Sequence, residues 1–185
     1  MARPSKEEDI IELFFNEPTK HWHFSKIKEK VPIADNKISK WLKRFQKEKL
    51  IKRIKDKKKQ PYYIGNHKAP EYRNTKKLFA LNKFHQSGFL NHLVSLEKAQ
   101  TVIIFGSFSR SDWYTESDID LFIYGNADDF ELYKCQIKLH NEIQLFHAEN
   151  EEDLKKMGGG LLRSILTGIF IKGGMPEEVI KNAAN

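Results

Sequence analysis

Two carboxylates stand inside one of the most apolar stretches of the chain. Residues 117–125 read SDIDLFIYG, so Asp118 and Asp120 interrupt a run that otherwise has the composition of a strand. Successive side chains of a strand point to opposite faces, which places both aspartates on one face and Ile119 and Leu121 on the other. Few folds place two acids side by side in this way, so this pair constrains the chain more than any other feature.

The residues before the pair suggest why the acids are there. The apolar run TVIIF, residues 101–105, ends at Gly106 and Ser107, small residues that let a backbone approach a phosphate and cradle it through main-chain N–H groups. Two neighbouring carboxylates repel each other, and Mg²⁺ relieves that repulsion while binding substrate phosphates. The residues therefore predict a metal site at Asp118 and Asp120, although such acids can also serve only as a cap at the end of a strand or helix.

The spacing between the Gly-Ser pair and the two aspartates resembles the signature of a known protein family. Gly106-Ser107, ten residues and then Asp118-Ile119-Asp120 resemble the signature of the DNA polymerase β-like nucleotidyltransferase superfamily, in its small, minimal prokaryotic members. The resemblance covers about residues 90–175 and implies a small mixed sheet with helices packed on it. It further implies transfer of a nucleoside monophosphate from a nucleoside triphosphate, with Mg²⁺, to a hydroxyl acceptor, which in relatives belongs to a partner toxin or an antibiotic.

The same resemblance assigns roles to individual residues. Asp118 and Asp120 would be the catalytic metal ligands, and the residues that bind the nucleotide would be Gly106, Ser107 and Arg110. Independently of that resemblance, Trp113 and Tyr114, the aromatic residues between the two halves of the signature, would either stack on a base or cover the edge of the sheet.

The resemblance also implies a third carboxylate on a neighbouring strand, for which NEIQLFHA, residues 141–148, is the candidate. Gln144 stands at that position, and an amide coordinates a metal weakly and cannot act as a general base. Glu142, on the same face, either replaces it as a metal ligand or is an ordinary exposed acid. The departure supports an alternative function, in which a catalytically degenerate domain serves a DNA-binding transcriptional regulator as a sensor or assembly module.

The charge of the chain divides it into two parts. Residues 1–100 contain 24 Lys and Arg against 11 Asp and Glu, whereas residues 101–185 contain 8 against 14. A basic part joined to an acidic part indicates a module that binds a polyanion attached to a second module.

The basic part predicts three short helices followed by a hairpin. Ser5 and Glu8 form a capping box before the first helix, and two β-prone runs flank a lysine-rich turn near residue 58. This order resembles the winged helix-turn-helix domains of prokaryotic regulators over residues 5–66, which implies binding of double-stranded DNA through the third helix and the wing. The residues predicted to contact DNA are Lys37, Lys40, Lys43, Arg44, Lys57, Lys58 and Lys59.

These patterns, with the two resemblances, predict an α+β protein. Its parts would be a winged helix-turn-helix at 1–66, a helical connector at 67–88, a nucleotidyltransferase domain at 89–175 and a tail at 176–185. Cys135 is the single cysteine and fits a reducing cytoplasm, with packing as its role. No run is long and apolar enough for a membrane span, and no signal peptide begins the chain, so we expect a cytoplasmic protein. Many winged-helix regulators dimerise, but no dimer signal stands out, and a homodimer stays open.

Overall fold

The computed structural model describes residues 5–55 and 59–175, and mixes helices with two sheets, which confirms the α+β class. The chain separates into two compact units. The first consists of residues 1–78 with 113–115, and the second of residues 79–112 with 116–185. The predicted tail at 176–185 lies outside the described residues. None of the helices in the described ranges combines the length and apolarity needed to cross a lipid bilayer.

The first unit contains three helices and a small antiparallel sheet. Its elements, in chain order, are α1 (Lys6–Asn16), β1 (Trp22–His23), α2 (Phe24–Lys30), α3 (Asp35–Lys47), β2 (Ile51–Ile54) and β3 (Tyr62–Gly65), followed by the beginning of α4 (Pro70–Gln86). The capping box of Ser5 and Glu8 is confirmed at the start of α1. The sheet has the order β1-β3-β2, and β1, only two residues long, was missed by the sequence analysis.

A buried lysine lies in the core of this unit. The Nζ atom of Lys76 donates to the main-chain oxygen of Phe15 at 2.8 Å and to that of Trp113 at 2.5 Å. Trp113 is only 5% exposed, and its ring meets that of Phe15 edge-on at 6.5 Å between centroids. Trp113 is therefore a core residue of the first unit and is not accessible for stacking on a base, whereas Tyr114 is exposed.

The second unit is built on a four-stranded mixed sheet. Its elements after α4 are α5 (Phe89–Ser95), β4 (Ala99–Phe105), α6 (Gly106–Arg110), β5 (Ile119–Gly125), α7 (Leu132–Leu139), β6 (Ile143–Ala148), α8 (Glu151–Lys156), α9 (Gly159–Leu166) and β7 (Ile169–Lys172). The strand order is β6-β5-β4-β7, in which β5 and β6 run parallel and the other pairs antiparallel. The small mixed sheet expected from the resemblance is present.

One face of this sheet carries both the apolar core and Asp120. Phe105 and Gln144 are the register partners of Asp120 on its two sides, so all three share a face. Farther along, the same face holds Phe122, and Leu162 of α9 packs in the same apolar cluster. The helices α8 and α9 contribute to this cluster, and Asp120 lies at the end of the face where β4 ends and β5 begins.

Candidate active site

The carboxylate of Asp120 lies directly against the turn at the end of β4. Gly106 begins α6 with φ +66°, a left-handed conformation that favours glycine. A Cβ atom built at position 106 would lie 2.7 Å from Cγ of Asp120, closer than real Cβ contacts allow. Both the backbone conformation and the lack of space require glycine here, and the absence of a side chain is what lets the acid approach the turn.

The turn also interacts with the acid electrostatically. Burial raises the pKa of Asp120 above its ordinary value, and the negative charge of Asp118 raises it further. The positive charge of Arg110 and a hydrogen bond from the main-chain N–H of Ser107 lower that pKa. The sequence analysis assigned the Gly-Ser turn to phosphate alone, but the structure shows that the turn also holds Asp120.

Asp118 is placed differently from Asp120. It is exposed and precedes the first residue of β5, whereas Asp120 is half-buried within the strand. On one side of Asp118, the main-chain oxygen of Ser117 accepts a hydrogen bond from Nδ2 of Asn141 at 3.1 Å. On the other, the N–H of Ile119 donates to the main-chain oxygen of Glu142 at 2.8 Å. The peptide groups on both sides of this aspartate are therefore hydrogen-bonded to the segment before β6, one to a side chain and one to the main chain.

Arg110 ends α6 at the same end of the sheet. Its side chain is exposed, and its Nε atom lies 3.0 Å from Oδ2 of Asp112. Its charge reaches Asp120, because it is one of the two influences that lower the pKa of that acid. The structure thus brings together Gly106, Ser107, Arg110, Asp118 and Asp120, all predicted from the sequence to form one site.

Gln144 occupies the position at which a third acid was expected. The parallel register pairs Asp120 with Gln144, and the side chain of Gln144 is exposed. Glu142 is also exposed and lies one residue before β6 begins. Within residues 5–55 and 59–175, no group of three or more His, Cys, Asp or Glu side chains is arranged to hold a metal ion. The site consequently offers two carboxylates and a neighbouring amide.

This donor set fits a divalent cation that is bound together with phosphate. Mg²⁺ commonly uses one or two carboxylates and completes its shell with waters and phosphate oxygens. The charge of Asp118 raises the pKa of Asp120, and a cation between the two carboxylates would remove that repulsion. The residues therefore fit a Mg²⁺ ion that is bound together with a nucleotide better than they fit a Mg²⁺ ion that is held by protein ligands alone.

The residues predicted to bind DNA lie in the first unit. Lys37, Lys40 and Lys43 are exposed on α3. Arg44 is also on α3, but it forms ion pairs with Glu7 of α1 and, at 3.5 Å, with Glu48. Lys59 is exposed, whereas Lys57 and Lys58 lie outside the described residues.

The sequence analysis missed Asn141. Nothing in the local pattern distinguishes it, since its contact is with a main-chain oxygen that lies 24 residues earlier in the chain. A helix ending near residue 140 and a strand beginning near 143 could have suggested a tight connection, but not its partner.

The mixed sheet, the two aspartates and the Gly-Ser turn at the start of a short helix are the features that the resemblance implied. Residues 90–173 match the family model described as "Polymerase beta, Nucleotidyltransferase". The match covers most of the second unit and does not extend to residues 1–89. No curated protein matches the chain in sequence.

Part of the chain is also similar to solved structures. A toxin–antitoxin crystal structure with AMP-PNP is 21% identical, at a TM-score of 0.37, over 56% of this chain and 80% of the other. A mutant of the toxin–antitoxin MntA-HpeT is 14% identical, at a TM-score of 0.37, over 58% of this chain and 83% of the other.

Proposed function

We propose that the second unit is a Mg²⁺-dependent nucleotidyltransferase that transfers a nucleoside monophosphate from a nucleoside triphosphate to a hydroxyl. The observation that carries this proposal is the placement of the Asp120 carboxylate against Gly106 and Ser107, with Asp118 close enough to raise its pKa. A scaffold has no need to crowd two like charges at the end of a sheet, since that arrangement costs stability without a cation. The match of residues 90–173 to the nucleotidyltransferase family supports the same reaction class.

In the proposed reaction, the acceptor hydroxyl oxygen bonds to the α-phosphorus and its proton passes to water, while the bond to the bridging oxygen breaks and pyrophosphate leaves. Asp118 and Asp120 would hold the cation, which, when bound, neutralises charge on the phosphates. Arg110 would add a positive charge on the same side, and Ser107 offers a hydroxyl to a phosphate oxygen. Gly106 contributes by leaving room for the carboxylate of Asp120.

The proposal is tested by comparing wild type with Asp120→Asn. We expect ATP with Mg²⁺ to bind wild type and to bind Asp120→Asn at least about tenfold more weakly, because one of two anionic ligands is lost. The matched control is Asp129→Asn, which removes an exposed acid of the same unit outside the signature. Isothermal titration calorimetry measures the affinities. If wild type binds no more tightly than Asp120→Asn, the proposed function is wrong.

The degenerate alternative is favoured by one observation, the pairing of Asp120 with Gln144 rather than with an acid. A neutral amide cannot accept the proton of an attacking hydroxyl. In this alternative the unit binds nucleotide and does not turn it over. Incubation with ATP labelled at the α-phosphate separates the two functions, because a transferase releases pyrophosphate and labels an acceptor, whereas a sensor returns intact ATP.

We further propose that the first unit is a winged helix-turn-helix that binds double-stranded DNA. The order of three helices and a β-hairpin, with β1 added to the sheet, supports this assignment. Three lysines, Lys37, Lys40 and Lys43, are exposed along α3, where phosphate contacts are expected. Gel-shift titrations with random duplexes at low salt test it, and a failure to bind any duplex would exclude the DNA-binding role.

A further inference from the structure

Asp118 is an exposed side chain, so packing of its own atoms does not determine where its carboxylate lies. The regular pairing of β5 with β6 begins one residue later, at Ile119 and Ile143. A metal ligand at such a place needs its backbone held by other means, because ligand atoms must be placed within a few tenths of an ångström.

The segment between α7 and β6 supplies two contacts that bracket Asp118. Nδ2 of Asn141 donates to the main-chain oxygen of Ser117 at 3.1 Å, and the N–H of Ile119 donates to the oxygen of Glu142 at 2.8 Å. Asp118 is the single residue between these two anchored peptide groups. Of the two contacts, only the first depends on a side chain, and it can therefore be removed by substitution.

The end of α7 presents Asn141 to this position. His140, which follows the last residue of the helix, has φ +55°, a left-handed conformation that histidine adopts more readily than most residues. The chain turns there and then enters β6 at Ile143. The placement of Asn141 is thus set by a helix terminus on one side and by a strand on the other.

We propose that Asn141 is a positioning residue that orients Asp118 for binding of the metal–nucleotide complex, an inference that rests on the proposed function of the aspartate pair. Without the amide, the peptide group before Asp118 loses its anchor and the carboxylate samples a wider range of positions. Residues that orient a metal ligand through a hydrogen bond typically change metal affinity by about tenfold to a hundredfold when they are removed.

The experiment compares Asn141→Ala with Asn66→Ala. Asn66 makes the same kind of bond in the first unit, from Nδ2 to the main-chain oxygen of Lys49 at 2.9 Å, and is thus a matched control. Mn²⁺ with ATP is the probe, and electron paramagnetic resonance measures bound Mn²⁺. We expect the Mn²⁺ affinity of Asn141→Ala to fall about tenfold and that of Asn66→Ala to equal wild type. Equal affinities in all three proteins would overturn the proposal.

A double-mutant cycle distinguishes positioning of Asp118 from a general structural effect. If Asn141 acts through Asp118, Asn141→Ala causes no further loss of Mn²⁺ affinity when it is added to Asp118→Asn. A further loss of about tenfold in that background would overturn the proposal, since the effect would then not pass through Asp118.

Hydrogen exchange tests the same contact with a different variant. Asn141→Asp keeps the shape of the side chain but removes its hydrogen-bond donor. In this variant, as in Asn141→Ala, the Ile119 amide should exchange faster than in wild type.

Failure of the proposed function gives a different result. In that case wild type itself binds no Mn²⁺–ATP, and both proposals fall together. If only the inference about Asn141 is wrong, wild type binds and Asn141→Ala binds equally well, with unchanged exchange at Ile119.

Discussion

Gly106 and Asp120 occupy adjoining space: the carboxylate of Asp120 lies where a side chain at position 106 would begin. The two residues are separated by a turn, a short helix and a loop, yet Asp120 is the register partner of Phe105, the residue immediately before the glycine. Antiparallel pairing of β4 and β5 therefore creates the contact. Gly106 is therefore required because it leaves room for the carboxylate of Asp120, in addition to any role in the approach of a phosphate.

Substitution of Gly106 by alanine should destabilise the protein and weaken nucleotide binding. The left-handed conformation alone costs roughly 1–2 kcal/mol for a residue with a Cβ atom, and displacement of Asp120 adds to this. Urea denaturation measures the free energy of unfolding, and calorimetry with ATP and Mg²⁺ measures binding. Gly158→Ala is the control, because its φ is −62° and a Cβ atom there would meet no atom within 4 Å. Equal effects of the two substitutions would contradict the requirement at 106.

Stability of the metal-free protein should depend on pH through Asp120. Its pKa is raised above the ordinary value of 3.8, so the folded protein holds this proton more tightly than the unfolded chain. The cost of the charged form is fully present above the raised pKa and disappears as the pH falls towards 3.8. Wild type should therefore gain stability relative to Asp120→Asn on acidification with EDTA present, as measured by urea denaturation. A difference that stays constant with pH would contradict this.

Lys76→Met should destabilise the first unit by roughly 2 kcal/mol or more. The substitution keeps the length of the side chain but leaves the main-chain oxygens of Phe15 and Trp113 without their lysine donor, and each buried acceptor left unsatisfied costs about 1–3 kcal/mol. The neighbouring Lys77, which is partly exposed, provides the control Lys77→Met. Thermal and urea denaturation report the change. If the two variants are equally stable, the buried lysine does not stabilise the core.

Gln144→Glu should increase affinity for a divalent cation. A carboxylate at 144 would stand beside Asp120 in the parallel register and add a third anionic oxygen donor. Without a metal ion, the same change adds repulsion and should lower stability. Mn²⁺ titration measures the affinity, with Gln100→Glu as an exposed control on β4. Unchanged Mn²⁺ affinity would show that position 144 does not face the bound ion. If turnover of labelled ATP is absent in wild type and appears in Gln144→Glu, the degenerate alternative is supported, whereas turnover already present in wild type contradicts it.

Combined replacement of Lys37, Lys40 and Lys43 by alanine should weaken DNA binding and its dependence on salt. Each lost phosphate contact lowers the slope of log affinity against log salt by about 0.9, so the triple variant should lose between about two and three units of slope. Fluorescence anisotropy with a labelled duplex measures this. The control removes Lys134, Lys155 and Lys156, exposed lysines of the second unit. A slope unchanged by the α3 substitutions would place the DNA contacts elsewhere.

Much of the second unit was predictable from local pattern. The strands β4, β5 and β6 were each predicted from short apolar runs, and alternation put Asp118 and Asp120 on a common face. The packing role of Cys135 was also predicted, and the residue is buried, which raises the pKa of its thiol. These features depend on residues within one turn or a few positions of each other, so the sequence carries their signal directly.

Other features depend on pairs of residues far apart in the chain. Strand β1 is only two residues long and exists because β3, some forty residues later, pairs with it. Trp113 reads as a loop aromatic, but it is buried against Phe15, nearly a hundred residues earlier. No local periodicity reports such contacts. Of the two alternatives left open for Trp113, the structure excludes base stacking, because the side chain is buried.

The sequence by itself determined that two acids alternate with apolar residues around the start of a strand after a Gly-Ser turn, because side-chain alternation is a property of any extended chain. Only the tertiary structure decided what surrounds them. Gly106 lies against Asp120, Gln144 is paired with Asp120 on the neighbouring strand, and Asn141 donates a hydrogen bond to the peptide group before Asp118. The physical reason is that register between strands and the direction of a helix end are set by the packing of the whole sheet, which no short segment specifies alone.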